Sequence, residues 1–193
     1  ASIGHTNCSY HTALRGIEAG INHATHLFNA MPPLHHREPG PLLAILETNH
    51  ITTQVISDGV HIHPQILKFA SRILDKDRIV IITDGMQAMG LPEGPYSYNG
   101  LEYISEGGAA SYADGTLIGT TLGMSELIDR FCRFTGYSYP DALKTATLNP
   151  ARLLGVENKK GFLAPGAHAD IVLLNPDKTV WKTIVGGEIV YSS

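Results

Sequence analysis

Three polar side chains, His5, His26 and Asp84, follow short apolar segments at positions where they could act together on a substrate. Asp84 follows the run 78–82, whose β-branched residues predict a strand covered on both faces, as in a parallel sheet. An ionised carboxylate buried at the end of such a strand is costly unless a metal ion or a hydrogen bond compensates it. The sequence therefore predicts a reactive carboxylate with a partner, and the two earlier histidines are the candidates.

The two histidines are predicted to share one divalent metal ion. His5 and His26 are one strand–helix unit apart, and adjacent parallel strands lie about 4.8 Å apart, so their imidazoles can converge. Zinc, iron and manganese are the candidate metals for such a pair. Asp84 could then act as a general base toward water and as a general acid toward a leaving amine. Alternatively, each histidine is hydrogen-bonded in the core and Asp84 caps a turn with Gly85.

Two loops and one glycine-containing segment could contact the substrate. Arg37 lies in a loop with Gly and Pro and suits a phosphate or a carboxylate, while a surface ion pair with Glu38 or another acidic residue is the alternative. His61 follows the third predicted strand and could also touch substrate. In the segment 117–119, Gly119 would let the backbone approach a ligand.

Four strand–helix units are expected to position these side chains. Strands are predicted at 1–5, 21–27, 51–57 and 79–83, and their alternation with helices predicts right-handed crossovers and a parallel sheet. Polar residues at the carboxyl ends of such strands form the catalytic sites of TIM barrels. The predicted fold class is therefore α/β, with the second half of a TIM-like (β/α)8 barrel at 1–155. A small β-sandwich segment is predicted at 156–193.

Composition excludes several classes of partner. The 193 residues are 43% hydrophobic and carry a formal net charge of −4, with no basic cluster. This balance argues against nucleic acid and against an anionic membrane surface. No apolar run approaches the ~20 residues needed to span a bilayer. Cys8 and Cys132 are too few for a disulfide framework and fit reduced thiols in a cytoplasmic protein.

Several stretches of the chain closely resemble the amidohydrolase superfamily and, within it, the deacetylases of N-acetylglucosamine 6-phosphate. The most specific are Thr-His-Leu-Phe-Asn-Ala-Met at 25–31 and Arg-Glu-Pro-Gly at 37–40. The resemblance covers essentially the whole chain, and its other matching stretches are 4–6, 58–61, 83–84, 115–119, 146–151 and 166–172.

The resemblance implies a distorted TIM barrel with a flanking β-domain, dimeric when full length, that hydrolyses the N-acetyl group of N-acetylglucosamine 6-phosphate. The products would be glucosamine 6-phosphate and acetate. His5 and His26 would be metal ligands, and Asp84 would be the catalytic acid and base. The residues implied to contact the amino-sugar phosphate are Asn29, Ala30, Arg37, His61, Leu117, Ile118 and Gly119.

The superfamily's first metal ligands, an H-x-H-like segment and a Glu on earlier strands, have no counterpart in this chain. Together with the start at Ala1, this predicts the C-terminal portion of a longer or cleaved protein, and a trimmed tag is the alternative explanation of that start. Four strands leave two open sheet edges. We also expect an exposed apolar inner face to which Val55, Ile79 and Ile81 contribute. The chain alone is therefore expected to be aggregation-prone or oligomeric and to have negligible activity.

Two other functions fit the same sequence. Dihydroorotase-like or imidase-like amidohydrolases share histidines and an aspartate at strand ends, but lack the loop of Arg37 and the pair Asn29 and Ala30. The chain could also be a binding or structural module that keeps the fold without turnover. A substrate panel would separate the first alternative, and metal analysis with a deacetylation assay would separate the second.

Overall fold

A computed structural model describes residues 1–193, and its first half is a parallel α/β unit. The four strands are β1 (Ser2–Ile3), β2 (His23–Ala24), β3 (Thr52–Val55) and β4 (Ile79–Ile81), and they pair in the order β1-β2-β3-β4. Every pairing is parallel. The connecting helices are α1 (Tyr10–Glu18), α2 (Gly40–Glu47) and α3 (Pro64–Ile73). The predicted order and direction of the four strands are confirmed, although each strand is shorter than predicted.

The helices begin where the sequence supplies caps. Ser9 accepts a hydrogen bond from the backbone N–H of Thr12 at the start of α1, and a proline stands in the first turn of both α2 and α3. These helix starts fix where each strand-to-helix loop ends. The loops between these strands and helices carry six of the candidate site residues, His5, His26, Asn29, Ala30, Arg37 and His61.

The main core lies between the parallel sheet and its helices. Thr53 pairs with Ala24 on one side and with Ile79 on the other, and Val55 pairs with Ile81. Because alternate strand residues face opposite sides, these residues share one face. Val55, Ile79 and Ile81 belong to the core cluster that includes helix residues such as Leu67 and Phe131.

The prediction that Val55, Ile79 and Ile81 line an exposed inner face is therefore wrong. They are only 1%, 1% and 2% exposed, because their register turns them toward the helices. The opposite face carries His23, Thr52 and Gln54 and is mainly polar.

Two further sheets follow β4. The antiparallel sheet holds β5 (Gly94–Tyr98), β6 (Leu101–Glu106), β7 (Ala109–Ser111) and β8 (Leu117–Thr120), in the order β5-β6-β7-β8. The helices α4 (Met124–Thr135), α5 (Tyr139–Ala146) and α6 (Leu148–Leu153) come next. The tail forms the antiparallel strands β9 (Ile171–Leu174), β10 (Val180–Val185) and β11 (Glu188–Ser192). None of the six helices has the length and apolar character needed to cross a bilayer.

Candidate active site

His5 and His26 meet at the carboxyl ends of neighbouring strands. Each lies two residues beyond its strand, β1 or β2, and their Nε2 atoms are 2.9 Å apart. The rings meet edge to face, with centroids 4.7 Å apart. His26 is buried and His5 is exposed, so the pair has one side in the protein and one side in solvent.

Both histidines have strained backbones. The φ angles of His5 and His26 are 44° and 25°, in the left-handed region that residues with a Cβ rarely adopt. Such strain costs about 1–3 kcal/mol per residue and clusters at functional sites. Backbone hydrogen bonds hold the turns, from Thr6 N–H to the Ala30 carbonyl at 3.1 Å and from Leu27 N–H to the Gln54 carbonyl at 2.8 Å.

The donor set of the pair fits a divalent metal. The 2.9 Å between the Nε2 atoms is short enough for both nitrogens to contact one ion, and imidazole nitrogens are ligands that such an ion would accept. A direct hydrogen bond between the rings satisfies the same distance. No third His, Cys, Asp or Glu completes a group able to hold a metal ion. This chain therefore offers two imidazole ligands and leaves the other positions to water, substrate or groups outside these residues.

Asp84 is exposed, which contradicts the predicted burial at the end of a strand. The buried strand β4 ends at Ile81, and the chain emerges before it reaches Asp84. The Asp84 carboxylate has no hydrogen-bond partner in the chain, so it is free to contact a ligand. It shares no hydrogen bond with the histidine pair.

The backbone of Asp84 is held by β8. Its φ is 49°, and its carbonyl accepts a hydrogen bond of 3.0 Å from the N–H of Thr120. The N–H of Met86 donates to the Thr120 carbonyl at 2.9 Å. The antiparallel sheet therefore fixes the direction in which Asp84 leaves the parallel sheet.

Gly119 permits this close approach. A Cβ at Gly119 would lie 2.4 Å from the Asp84 carbonyl oxygen, and the φ of Gly119 is +148°. Its neighbour Ile118 packs against the small cluster of Ala88, Tyr103 and Ala110, whereas Leu117 is exposed. These three predicted substrate contacts therefore differ in environment, and Gly119 is the one that closely approaches the Asp84 backbone.

We expect Gly119→Ala to destabilise this junction. The added methyl group must displace the Asp84 carbonyl and also strains the backbone, which costs about 1–3 kcal/mol. Thermal unfolding of the variant should show a lower midpoint than the wild type. Gly115→Ala is a matched control, because its φ is also positive but a Cβ there would meet no atom within 4 Å. An equal destabilisation by both variants would show that the contact with Asp84 adds nothing.

An open cleft of about 640 Å³ lies beside the histidine pair. It is lined by His5, Thr6, Asn7, Ala30, Met31 and Pro32. Ala30, a predicted substrate contact, therefore lines this cleft. Asn29 donates through Nδ2 to the carbonyls of His26 and Leu27, at 3.2 Å each, which ties it to the same turn.

Arg37 is exposed and makes no ion pair with Glu38, so the predicted alternative of a surface salt bridge between them is not formed. Its guanidinium Nη1 lies 2.7 Å from the Nε2 atom of His36. The side chain is therefore free of carboxylate partners and remains available to an anion.

His61 is held by Asp58, a residue whose contact the sequence interpretation missed. The Nδ1 atom of His61 lies 2.5 Å from Oδ2 of Asp58. Burial raises the pKa of the Asp58 carboxyl, but the hydrogen bonds from the His61 ring and from the N–H groups of Val60 and His61 outweigh it and lower that pKa overall. An aspartate three residues before a candidate histidine was the available signal.

The comparison with protein families identifies the family of this chain. The model of the amidohydrolase family matches residues 1–190. The chain belongs to the amidohydrolase family.

Similar amidohydrolases have named activities. The N-acetylglucosamine-6-phosphate deacetylase of Bacillus subtilis strain 168 is 37% identical over 193 residues, which are 100% of this chain and 49% of that protein. The N-acetylgalactosamine-6-phosphate deacetylase of Escherichia coli O157:H7 is 35% identical over 187 residues, which are 97% of this chain and 49% of that protein.

A solved structure is similar over the whole amidohydrolase chain. It is an aspartate-to-alanine variant of N-acetyl-D-glucosamine-6-phosphate deacetylase from Mycobacterium smegmatis, in complex with N-acetyl-D-glucosamine-6-phosphate. Its TM-score is 0.91 at 36% identity, and the match covers 100% of this chain and 51% of that one. The chain spans about half the length of these relatives.

Proposed function

We propose that this chain forms the metal- and substrate-binding part of a deacetylase that converts N-acetylglucosamine 6-phosphate to glucosamine 6-phosphate and acetate. The observation that carries the proposal is the meeting of the His5 and His26 Nε2 atoms at 2.9 Å, at two neighbouring strand ends of an amidohydrolase. The identity of 37% to a deacetylase of this specificity over the full chain supports the choice of substrate.

The proposal includes the architecture. Residues 1–155 would be the second half of a TIM-like barrel, and 156–193 would be a segment of a small β-sandwich. The four parallel strands with helices between them, and the separate antiparallel tail sheet, support this division. Two free cysteines support a reducing, cytoplasmic location, and a homodimer is proposed by resemblance to the superfamily.

His5 and His26 would hold a zinc, iron or manganese ion, because imidazole nitrogens suit these metals and the spacing of the pair permits two bonds. When bound, such an ion supplies Lewis acidity toward the amide carbonyl oxygen and makes water more acidic. Two protein ligands are fewer than the three of usual catalytic zinc sites. The isolated chain is therefore expected to bind metal weakly and to turn over little substrate.

Asp84 would move the protons. Its unpaired carboxylate would take a proton from the water that attacks the acetyl carbon, and would deliver it to the nitrogen as the C–N bond breaks. Water thus adds its oxygen to the acetate, and the amine leaves with the proton. The left-handed turn at Asp84 and its clamp to Thr120 would keep the carboxylate in place during both transfers.

The experiment that tests this function uses a chimera. This chain replaces the matching half of the Bacillus subtilis relative, and the other half of that relative supplies the part of a full-length deacetylase that this chain does not contain. The chimera is assayed on N-acetylglucosamine 6-phosphate, dihydroorotate and hydantoin. Acetate release from the sugar phosphate alone is the expected result, and hydrolysis of a cyclic imide alone would favour a different amidohydrolase.

N-acetylgalactosamine 6-phosphate is a second candidate substrate, because the relative from Escherichia coli O157:H7 is named for that activity and is 35% identical. The two sugars differ only in the configuration at C4. The ratio of kcat/KM for the two substrates in the chimera decides between them, and a higher value for the galactosamine derivative would replace the glucosamine assignment.

Arg37→Ala in the chimera should lower kcat/KM for N-acetylglucosamine 6-phosphate by about 10- to 150-fold, which is the equivalent of one charge-assisted hydrogen bond to phosphate. The reason is that Arg37 has no carboxylate partner and can face an anion. The loss should be small for N-acetylglucosamine, which has no phosphate. Equal losses for both sugars would show that Arg37 has a structural role.

A further inference from the structure

The loop that carries His61 is built around one buried carboxylate. The Asp58 side chain has no exposed surface, and that of His61 is only 5% exposed. Oδ1 of Asp58 accepts the N–H groups of Val60 and His61, both at 2.9 Å, while Oδ2 lies 2.5 Å from His61 Nδ1. One carboxylate therefore fixes both the loop backbone and the imidazole ring.

Helix α4 holds this loop from the other side. Arg130 donates through Nη1 to the Asp58 carbonyl at 2.6 Å, and Ser57 Oγ donates to the Leu127 carbonyl at 2.7 Å. Gly59 has a φ of +82°, and a Cβ there would lie 3.1 Å from a ring atom of Phe134. The hydrogen bonds to helix α4 and the close packing at Gly59 thus hold the loop in its observed conformation.

The ring of His61 is left with one free nitrogen. Nδ1 is engaged by Asp58, whereas Nε2 has no hydrogen-bond partner in the chain and keeps some solvent-accessible surface. The ionised carboxylate has no proton to give, so in the neutral ring the proton must stand on Nδ1. Nε2 then presents a lone pair to whatever enters.

We propose that Asp58 is a positioning residue that fixes the tautomer and direction of His61, so that Nε2 is the ring nitrogen that meets the substrate. This inference rests on the proposed function for the identity of the substrate, an amino-sugar phosphate. The tautomer itself is a property of the Asp58–His61 pair, and it can be measured without turnover.

Asp58→Asn is the informative substitution because the loop dictates how the amide must lie. The two backbone N–H groups at Oδ1 require an acceptor, so the amide oxygen occupies that position. The amide NH2 then faces His61 Nδ1 and can only donate to it. The neutral ring must therefore move its proton to Nε2, with almost no change in side-chain shape.

The test is nitrogen NMR of the His61 ring in the chimera, with a titration of N-acetylglucosamine 6-phosphate. The wild type should show a protonated Nδ1 and an Nε2 signal that the ligand shifts. Asp58→Asn should invert the tautomer and raise the dissociation constant by about 10- to 150-fold. Asp177→Asn is the control, because Asp177 also accepts a backbone N–H in a turn, from Thr179, but contacts no histidine.

Three results would overturn the proposal. They are a wild-type ring with its proton on Nε2, an Nε2 signal that the sugar phosphate does not shift, and an unchanged dissociation constant in Asp58→Asn. The first needs no variant, so it decides the matter even if Asp58→Asn fails to fold. A chimera that releases no acetate would contradict the deacetylase assignment while leaving the ring-nitrogen result intact, so the two failures are distinguishable.

Discussion

His26→Ala in the chimera is expected to lose the bound divalent metal and the deacetylase activity together. His26 is one of the two imidazoles that this chain offers to the ion, and its removal leaves the exposed His5 as the only ligand from this chain. A Lewis acid supplies several kcal/mol of transition-state stabilisation, so its loss should lower kcat by more than about 10³-fold. Metal content after gel filtration and acetate release are measured on the same sample.

His50→Ala is the matched control for this prediction. His50 is exposed and precedes β3, at the opposite end of the sheet from the candidate site. The control should keep both the metal and the activity. Full metal occupancy in His26→Ala would show that the histidine pair is a hydrogen-bonded pair and not a metal site.

Asp84→Asn is expected to keep the metal and the substrate affinity while kcat falls by about 10²- to 10⁴-fold, the usual contribution of a general acid or base. An amide has the shape of the carboxylate but cannot take the proton from water. Steady-state kinetics, with metal content measured in parallel, separates kcat from binding. The free carboxylate and the clamped backbone of Asp84 are the structural reasons for expecting a clean effect on kcat.

Asp75→Asn controls for the loss of a negative charge near β4. Asp75 is exposed, its side chain caps nothing, and it lies at the amino end of the same strand, where catalytic residues of barrels are not found. Its kinetics should match those of the wild type. A near-normal kcat in Asp84→Asn would show that Asp84 does not transfer protons and is only a turn residue.

The parallel sheet and the histidine pair were predictable because both depend on local patterns. Apolar runs that alternate with helices at a regular spacing predict parallel pairing, and neighbouring strands bring their ends together. The convergence of His5 and His26 follows from that geometry. Their left-handed backbones do not, since nothing in the sequence marks a histidine for positive φ.

The face assignment of the strands was not predictable from the same patterns. The run Ile79–Ile82 is apolar at every position, so it does not indicate which side meets the helices. Only the register with β3 turns Val55, Ile79 and Ile81 toward the core. The exposure of Asp84 was missed for a related reason, because strand β4 ends at Ile81 and the clamp to Thr120 comes from a sheet formed later in the chain.

The Asp58–His61 pair was missed because the motif was interpreted through its histidine alone. An aspartate before a glycine is common in turns, so its carboxylate suggested no partner. The contact depends on the conformation of Gly59 and on helix α4, which is distant in sequence. Such pairs become visible only when the loop and the helix are seen together.

The most direct test of the proposed deacetylase function uses the metal-loaded chimera. It measures the acetate and the glucosamine 6-phosphate that the chimera releases from N-acetylglucosamine 6-phosphate. We predict equal amounts of both products, release that stops when the metal is removed, and no release from the Bacillus subtilis half alone. A folded, metal-loaded chimera that releases neither product would contradict it.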